Sequence, residues 1–205
     1  MKKIKILLLA AALLSGTSAF AQQNWNAGVG YAMNSFNGTD CSQFLAKHPL
    51  HGFYAGVSHE FYFSALAGLT FEPGVYFFYQ SGRNDNDAKP KFIKMHYLSF
   101  PLDIKYTFNI TEGAMAAFFT GPVFNVGLVG NVYDKGTFKE QGGLAKDVTE
   151  LRGLTRPNLQ WNFGAAVTIA DAVQIRISYG LGISRLIPEQ EIHNNTLTIG
   201  AGLLF

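Results

Sequence analysis

Residues 195–205 alternate strictly between apolar positions and small or polar positions. One face would carry Leu197, Ile199, Ala201, Leu203 and Phe205, and the other Thr198, Gly200 and Gly202. Successive side chains of a β-strand point to opposite faces. The pattern therefore predicts a strand with one apolar face and one face of small or polar side chains.

The same period of two recurs in seven earlier segments. They cover residues 25–33, 53–58, 67–77, 96–108, 114–129, 159–169 and 173–183. We expect short turns at 60–64, 109–113 and 170–172, and long polar loops at 34–50, 81–91, 131–157 and 185–194. An even number of strands joined alternately by short turns and long loops is typical of outer-membrane barrels. The sequence predicts a single antiparallel up-and-down transmembrane β-barrel of about eight strands.

The less hydrophobic face of these segments decides between a membrane barrel and a soluble one. It consists mostly of glycine, alanine, serine, threonine, asparagine and glutamine, which suit a narrow interior better than a solvated surface. Charged residues are 15% of the chain, against about 25% in soluble domains. The charges well inside strands are Glu72, Asp103, Lys105 and Arg176. Since an unpartnered buried charge is costly, we expect these four to pair inside the lumen and block it.

Aromatic residues gather near the predicted strand ends, as expected for interfacial girdles. One group comprises Trp25, Phe61, Tyr62, Phe63, Tyr106 and Phe108, and the other Tyr76, Phe77, Phe78, Tyr79, Tyr97 and Trp161. Pro101 and Pro122 lie within strands and cannot donate a ladder hydrogen bond, so each predicts a bulge or a local break.

The amino terminus resembles a secretory signal. Lys2, Lys3 and Lys5 precede an apolar run over residues 6–14 and a small-x-small site at 19–21. We expect a signal peptide at 1–21, removed on export, and a barrel domain at 22–205. Removing three lysines from a formal charge of +2 leaves about −1, so no basic field favours nucleic acid. Cys41 has no partner cysteine and cannot form a disulfide within the chain.

The segment His96-Tyr-Leu-Ser-Phe-Pro-Leu-Asp-Ile-Lys-Tyr-Thr-Phe108, with Gly121-Pro122 and the terminal Phe205, resembles the Bacteroidetes outer-membrane β-barrel family. PorT-like proteins belong to that family. The resemblance implies a single barrel in the bacterial outer membrane and carries over no catalytic residue. PorT members are linked to protein secretion. The aromatic end at Phe205 resembles the signal by which outer-membrane barrels are recognised for assembly.

Some outer-membrane barrels are enzymes that act on lipid A, and two groupings in this chain could be reactive. Such a deacylase would need a serine and a histidine side by side, but His96 and Ser99 differ in parity and should face opposite ways. His193 and Ser184 flank the last loop, with only Glu189 or Glu191 as an acid. Cys41, His48 and His51 suggest a metal site only loosely. We therefore expect no catalytic residue, no metal and no cofactor.

The sequence favours a non-enzymatic outer-membrane barrel with a structural, assembly or interaction role. An adhesin-like barrel acting through residues 131–157 is the first alternative, and a lipid A-modifying enzyme is the second. The expected partners are outer-membrane lipid, the barrel-assembly machinery during biogenesis, and other envelope or secretion-system proteins.

Overall fold

The computed structural model describes residues 24–38, 49–84, 91–134, 157–186 and 191–205. Nine strands lie within these ranges: β1 Trp25–Asn37, β2 Leu50–His59, β3 Phe61–Tyr62, β4 Leu69–Asn84, β5 Lys91–Thr111, β6 Ala114–Asp134, β7 Asn158–Ile169, β8 Val173–Gly182 and β9 His193–Leu204. The predicted signal peptide and Cys41 lie outside the described residues. Within those ranges, no helix is long and apolar enough to cross a bilayer.

The strands form one closed antiparallel sheet. Its order is β2-β1-β9-β8-β7-β6-β5-β4-β3, and the pairing of β2 with β4 closes the ring. Eight long strands make up the wall, and the two-residue β3 pairs with the start of β4. Closure leaves every long strand with two neighbours, which satisfies the backbone groups that lipid cannot. The predicted eight-stranded barrel is confirmed.

Several strands extend into segments that the sequence assigned to loops. Residues 34–37, 81–84, 131–134 and 193–194 are strand. The reason is the neighbouring ladder: Asn84 pairs with Lys91 across β4 and β5, and Lys91 pairs with Asp134 across β5 and β6. Outside the bilayer, polar side chains do not prevent strand pairing. The alternation of hydrophobic and polar residues therefore ends before the strand itself ends.

β4, β5 and β6 form a wall that is taller than the rest of the barrel. β5 and β6 have 21 residues each, whereas β7 has 12 and β8 has 10. The pairing of β6 with β7 stops at Asn125 and Asn158, directly after Pro157, which has no amide hydrogen to extend the ladder. The nine residues of β6 beyond Asn125 extend past the end of β7 for about 30 Å along the strand.

The side-chain faces follow the predicted alternation. Apolar residues such as Val29, Phe118 and Ile177 are about half exposed on the outer face, while Asn26 and Gln174 are buried in the lumen. An apolar outer surface with polar side chains inside is the arrangement of a barrel in lipid.

Three residues assigned to the second aromatic girdle point inward instead. Tyr76, Phe78 and Tyr97 lie in the lumen, where Phe78 and Tyr97 stack with ring centroids 4.7 Å apart. Glycines make the space: a Cβ built on Gly30 would lie 2.6 Å from the Tyr54 ring. These inward aromatics share the parity of Glu72 on β4 and of Asp103 on β5, so the alternation agrees with the structure and the girdle assignment was wrong.

The prolines interrupt the ladder without shifting its register. β5 and β6 pair at Pro101 and Val123, then resume at Ile104 and Thr120 in the same register. The register shift in the upper half of this pair lies between His96 and Tyr97. Each proline therefore sits beside a local break, and the extra residue at this register shift is Leu128 on β6.

Candidate functional site

Two carboxylates lie side by side on neighbouring strands in the lumen. Glu72 on β4 and Asp103 on β5 are directly opposite in the register, and both side chains are almost completely buried. The alternation predicts that both face the lumen, and the register sets them directly opposite each other instead of on a diagonal. Like charges directly opposite each other are destabilising, so the pair requires cations close by.

The two predicted cations lie against these acids. The Arg176 guanidinium is bound to Glu72 Oε1, and its Nη2 lies 3.8 Å from Asp103 Oδ2. Lys105 Nζ lies 3.2 Å from Glu72 Oε2. Glu72 is therefore shared by both cations and stands at the centre of the network.

A third carboxylate, Glu60, was missed by the sequence reasoning. It was assigned to a tight turn, but the chain continues into β3 and the Glu60 side chain lies in the lumen, paired with Lys105. Glu60 shares the parity of Ser58, which is also buried. Extending the alternation of β2 by two residues would have found it. The described network therefore contains three acids and two bases.

Neutral groups hold the network in place. Ser58 donates to Glu72 Oε1 at 2.6 Å, and the Tyr76 hydroxyl donates to Ser58 at 3.1 Å. Asn162 donates to Asp103 at 3.3 Å, and the Arg176 guanidinium lies 4.3 Å from the centre of the Phe119 ring. Buried ion pairs are stable only when such partners satisfy their remaining groups.

Water can reach the network from the end of the barrel that carries the short turns. A vestibule of about 890 Å³ opens there, with Glu60, Lys105, Asp171 and Gln174 among its lining residues. Above it, a cavity of about 70 Å³ is lined by Arg176 and Asp103 among others. At about 30 Å³ per water molecule in the liquid, a cavity of this size holds about two water molecules.

The other end of the lumen is filled by an apolar plug. Its buried members are Ala32, Phe36, Leu50, Tyr54, Phe78, Ile93, Met95, Tyr97, Leu186 and Ile192. Leu186 and Ile192 come from the connection between β8 and β9, where the Leu186 amide donates to the Ile192 carbonyl at 2.9 Å. The described lumen is thus ionic toward the short turns, and toward the long loops it combines these apolar side chains with buried polar ones such as Asn34, Gln80 and Asn194.

The possible catalytic groupings are not assembled in the described residues. His96 lies on the outer wall against Phe77 and Tyr79, whereas Ser99 is buried in the lumen. The Ser184 hydroxyl accepts a hydrogen bond from the Leu159 amide at 2.7 Å. Glu191 lies 3.2 Å from Arg185, and Glu189 is outside the described residues.

Two of the three residues that suggested a metal site, Cys41 and His48, lie outside the described residues. His51 lies on β2, with its Nδ1 hydrogen-bonded to the Tyr31 hydroxyl. In the described ranges, no three histidine, cysteine or acidic side chains come together as metal ligands.

Phe205 lies where the barrel closes at its short-turn end. Its backbone exchanges two hydrogen bonds with Trp25, at 3.0 and 2.9 Å, so it extends the pairing of β9 with β1. Its role as an assembly signal stays a prediction.

Solved structures with a similar fold are outer-membrane proteins. The attachment invasion locus protein Ail of Yersinia pestis is 14% identical over 90% of this chain and 100% of its own, with a TM-score of 0.43. Neisserial surface protein A is 11% identical over 88% of this chain and 97% of its own, with a TM-score of 0.46. The outer membrane enzyme PagL is 13% identical over 85% and 97%, with a TM-score of 0.47.

No curated protein matches the sequence. A sequence model of the family described as "Outer membrane protein beta-barrel domain" matches residues 7–205, which include every strand of the closed sheet. The chain therefore belongs to the outer membrane protein beta-barrel domain family, and its place is the bacterial outer membrane.

Proposed function

We propose that this protein is a non-enzymatic interaction barrel that holds a binding surface outside the outer membrane. The observation that carries the proposal is the tall wall of β4, β5 and β6. About 9–11 residues suffice for a strand to span the bilayer, so the 21 residues of β5 and β6 are about twice that length. The excess lies at the end with the long loops, which is external in barrels of this kind.

The closed lumen supports an interaction role over transport. An eight-stranded barrel has an interior that side chains can fill, and here the apolar plug and the lumen charges occupy successive levels of it. We therefore expect no steady conductance from the purified protein in a planar bilayer. Stable, ion-selective single-channel steps would contradict a closed lumen.

Site-specific crosslinking tests the interaction role. A photoreactive residue at Leu128, on the outer face of β6 beyond the end of β7, should capture a protein partner. Phe118 provides the matched control, since it is exposed on the same face of the same strand near the short-turn end. Protein adducts in equal yield at both positions, or at neither, would contradict the proposal.

The identity of the captured protein separates the alternatives. An envelope or secretion-system protein supports an assembly role, and it would fit the PorT-like resemblance of the segment around Tyr97-Leu98-x-x-Pro101-Leu102. A host surface molecule supports the adhesin-like alternative; residues 135–156 of the segment proposed for it lie outside the described residues. A change in lipid A mass when the protein is expressed would instead support an enzyme.

A further inference from the structure

An aromatic and imidazole strip crosses the lipid-facing wall on β1, β2, β4 and β5. In the register, Tyr31 pairs with Phe53, Phe53 with Tyr79, and Tyr79 with His96. The rings are in contact: Phe53 and Tyr79 stack at 5.3 Å, and Tyr79 meets His96 edge to face at 5.0 Å. Tyr31 and Phe53 are about half exposed, so ring surface faces the lipid.

A second row runs directly beside the first, on the side of the long loops. It holds Met33, His51, Ser81 and Lys94. Tyr31 joins the two rows, because its hydroxyl is hydrogen-bonded to His51 Nδ1. When the tyrosine donates to Nδ1, the imidazole hydrogen is on Nε2, where it can be donated to an anion.

The strip lies near the external boundary of the bilayer. Eight residues separate Trp25, exposed at the short-turn rim, from Met33. That is about 26 Å along the strand, or about 20 Å of height at a strand tilt of about 40°, so the second row lies in the upper part of the roughly 25 Å apolar band. Its side chains are therefore within reach of the boundary at which lipid tails give way to headgroups.

The imidazole side chains of the two rows lie on one side of the barrel wall, on β2 and β5. Continued onto β9, the two rows hold Ile199 and Leu197, and on β8 they hold Ile177 and Tyr179. The aromatic rings therefore continue as in an interfacial girdle, whereas the imidazoles do not continue onto β8 and β9. The β5–β6 register shift also falls at the strip, between His96 and Tyr97, and bulges often serve to re-aim a side chain.

We propose that the strip binds the phosphorylated sugar headgroup of an outer-leaflet glycolipid. Three inter-strand spacings give a width of about 14 Å, so a single phosphodiester would meet only part of it, whereas a disaccharide can lie across it. The exposed rings provide flat surfaces for the sugar. His51 lies on the long-loop side of these rings, where it can meet a phosphate, to which charge-assisted hydrogen bonds are strong.

Native mass spectrometry of the purified, full-length barrel tests this proposal. The probes are diphosphoryl lipid A, the same lipid A with its phosphates removed, and phosphatidylglycerol. We expect diphosphoryl lipid A to be retained about tenfold more than either of the others, the factor that one charge-assisted hydrogen bond produces. Equal retention of the dephosphorylated lipid, or of phosphatidylglycerol, would overturn the proposal.

The double variant His51→Ala, His96→Ala should lose this preference. The matched control is Leu197→Ala, Ile199→Ala, which truncates the continuation of the same two rows on β9. The control should keep the preference, and slower migration after boiling verifies that each variant is folded beforehand. If the alanine variant does not fold, His51→Gln, His96→Gln replaces it. Retention of the preference in a folded histidine variant would overturn the proposal.

Discussion

At the scale of residues, the lumen depends on charge compensation around Glu72. This carboxylate faces Asp103 across one ladder step and is bound by both Arg176 and Lys105. The attraction must offset the cost of removing five charged groups from water, which it can do only while each charge keeps its partner. Removing one cation should therefore destabilise the barrel by more than the loss of its own contacts, because a buried carboxylate is left without its partner.

We expect Arg176→Met to lower the free energy of unfolding by about 3 kcal/mol, because it leaves Asp103 without its ion pair beside Glu72, which keeps only Lys105. Urea unfolding of the protein in lipid bilayers measures the change. Arg185→Met is the matched control, since the Arg185–Glu191 pair is about half exposed and should cost under about 1 kcal/mol. Equal unfolding midpoints for Arg176→Met and the wild type would contradict the network's role.

Gly28 and Gly30 lie on the same face of β1, but they differ in the free space around the position of a Cβ atom. A Cβ on Gly28 would lie 3.7 Å from its nearest neighbours, whereas a Cβ on Gly30 would overlap the backbone of Ile199 and Gly200. We expect Gly30→Ala to destabilise the barrel by about 1–3 kcal/mol through overpacking, with Gly28→Ala close to the wild type. Comparing the two variants by urea unfolding tests this, and equal midpoints would contradict it.

At the scale of elements, different segments line the two ends of the lumen. The upper parts of β1, β2 and β5 contribute apolar residues such as Phe36, Leu50 and Ile93, and the connection between β8 and β9 adds Leu186 and Ile192. Toward the short turns, the interior widens into the vestibule. This division predicts different water access at the two levels.

Cysteine labelling measures that access. In a Cys41→Ser background, Met115→Cys in the vestibule should react rapidly with a water-soluble maleimide. Met95→Cys, buried in the apolar plug, should react at least about tenfold more slowly, because thiol chemistry requires an exposed thiolate. Comparable rates in the folded barrel would show that the plug is open.

At the scale of the whole molecule, the arrangement of turns and loops predicts the orientation in the membrane. The described turns at 63–68, 112–113 and 170–172 are at one end, and the connection between β8 and β9 is at the other. Short turns are periplasmic in outer-membrane barrels. The vestibule would then open to the periplasm, and the tall wall would project outward.

Labelling of intact cells tests the orientation. In the same Cys41→Ser background, Arg185→Cys should react with a membrane-impermeant maleimide added outside, and Glu112→Cys should not. Both positions are exposed, so the contrast would reflect the side of the membrane. After cell lysis both should react. The reverse pattern on intact cells would mean that the barrel is inserted the other way round.

The sequence by itself determined the class of fold, the number of strands and the lipid-facing surface. Alternation has a period of two whichever strands are neighbours, so a residue such as Val29 or Ile177 could be assigned to the outer face without knowing its partners. The same reasoning selected Glu72, Asp103, Lys105 and Arg176, because charges are rare on such strands.

Only the tertiary structure decided which residues are neighbours across the strands of the barrel. Strand pairing fixed the register that sets Glu72 against Asp103, brought Glu60 to Lys105, and stacked Phe78 on Tyr97. It also extended β4, β5 and β6 beyond their alternating segments. Register and strand length depend on ladder hydrogen bonds between residues distant in the chain, and the local pattern of hydrophobicity does not encode them.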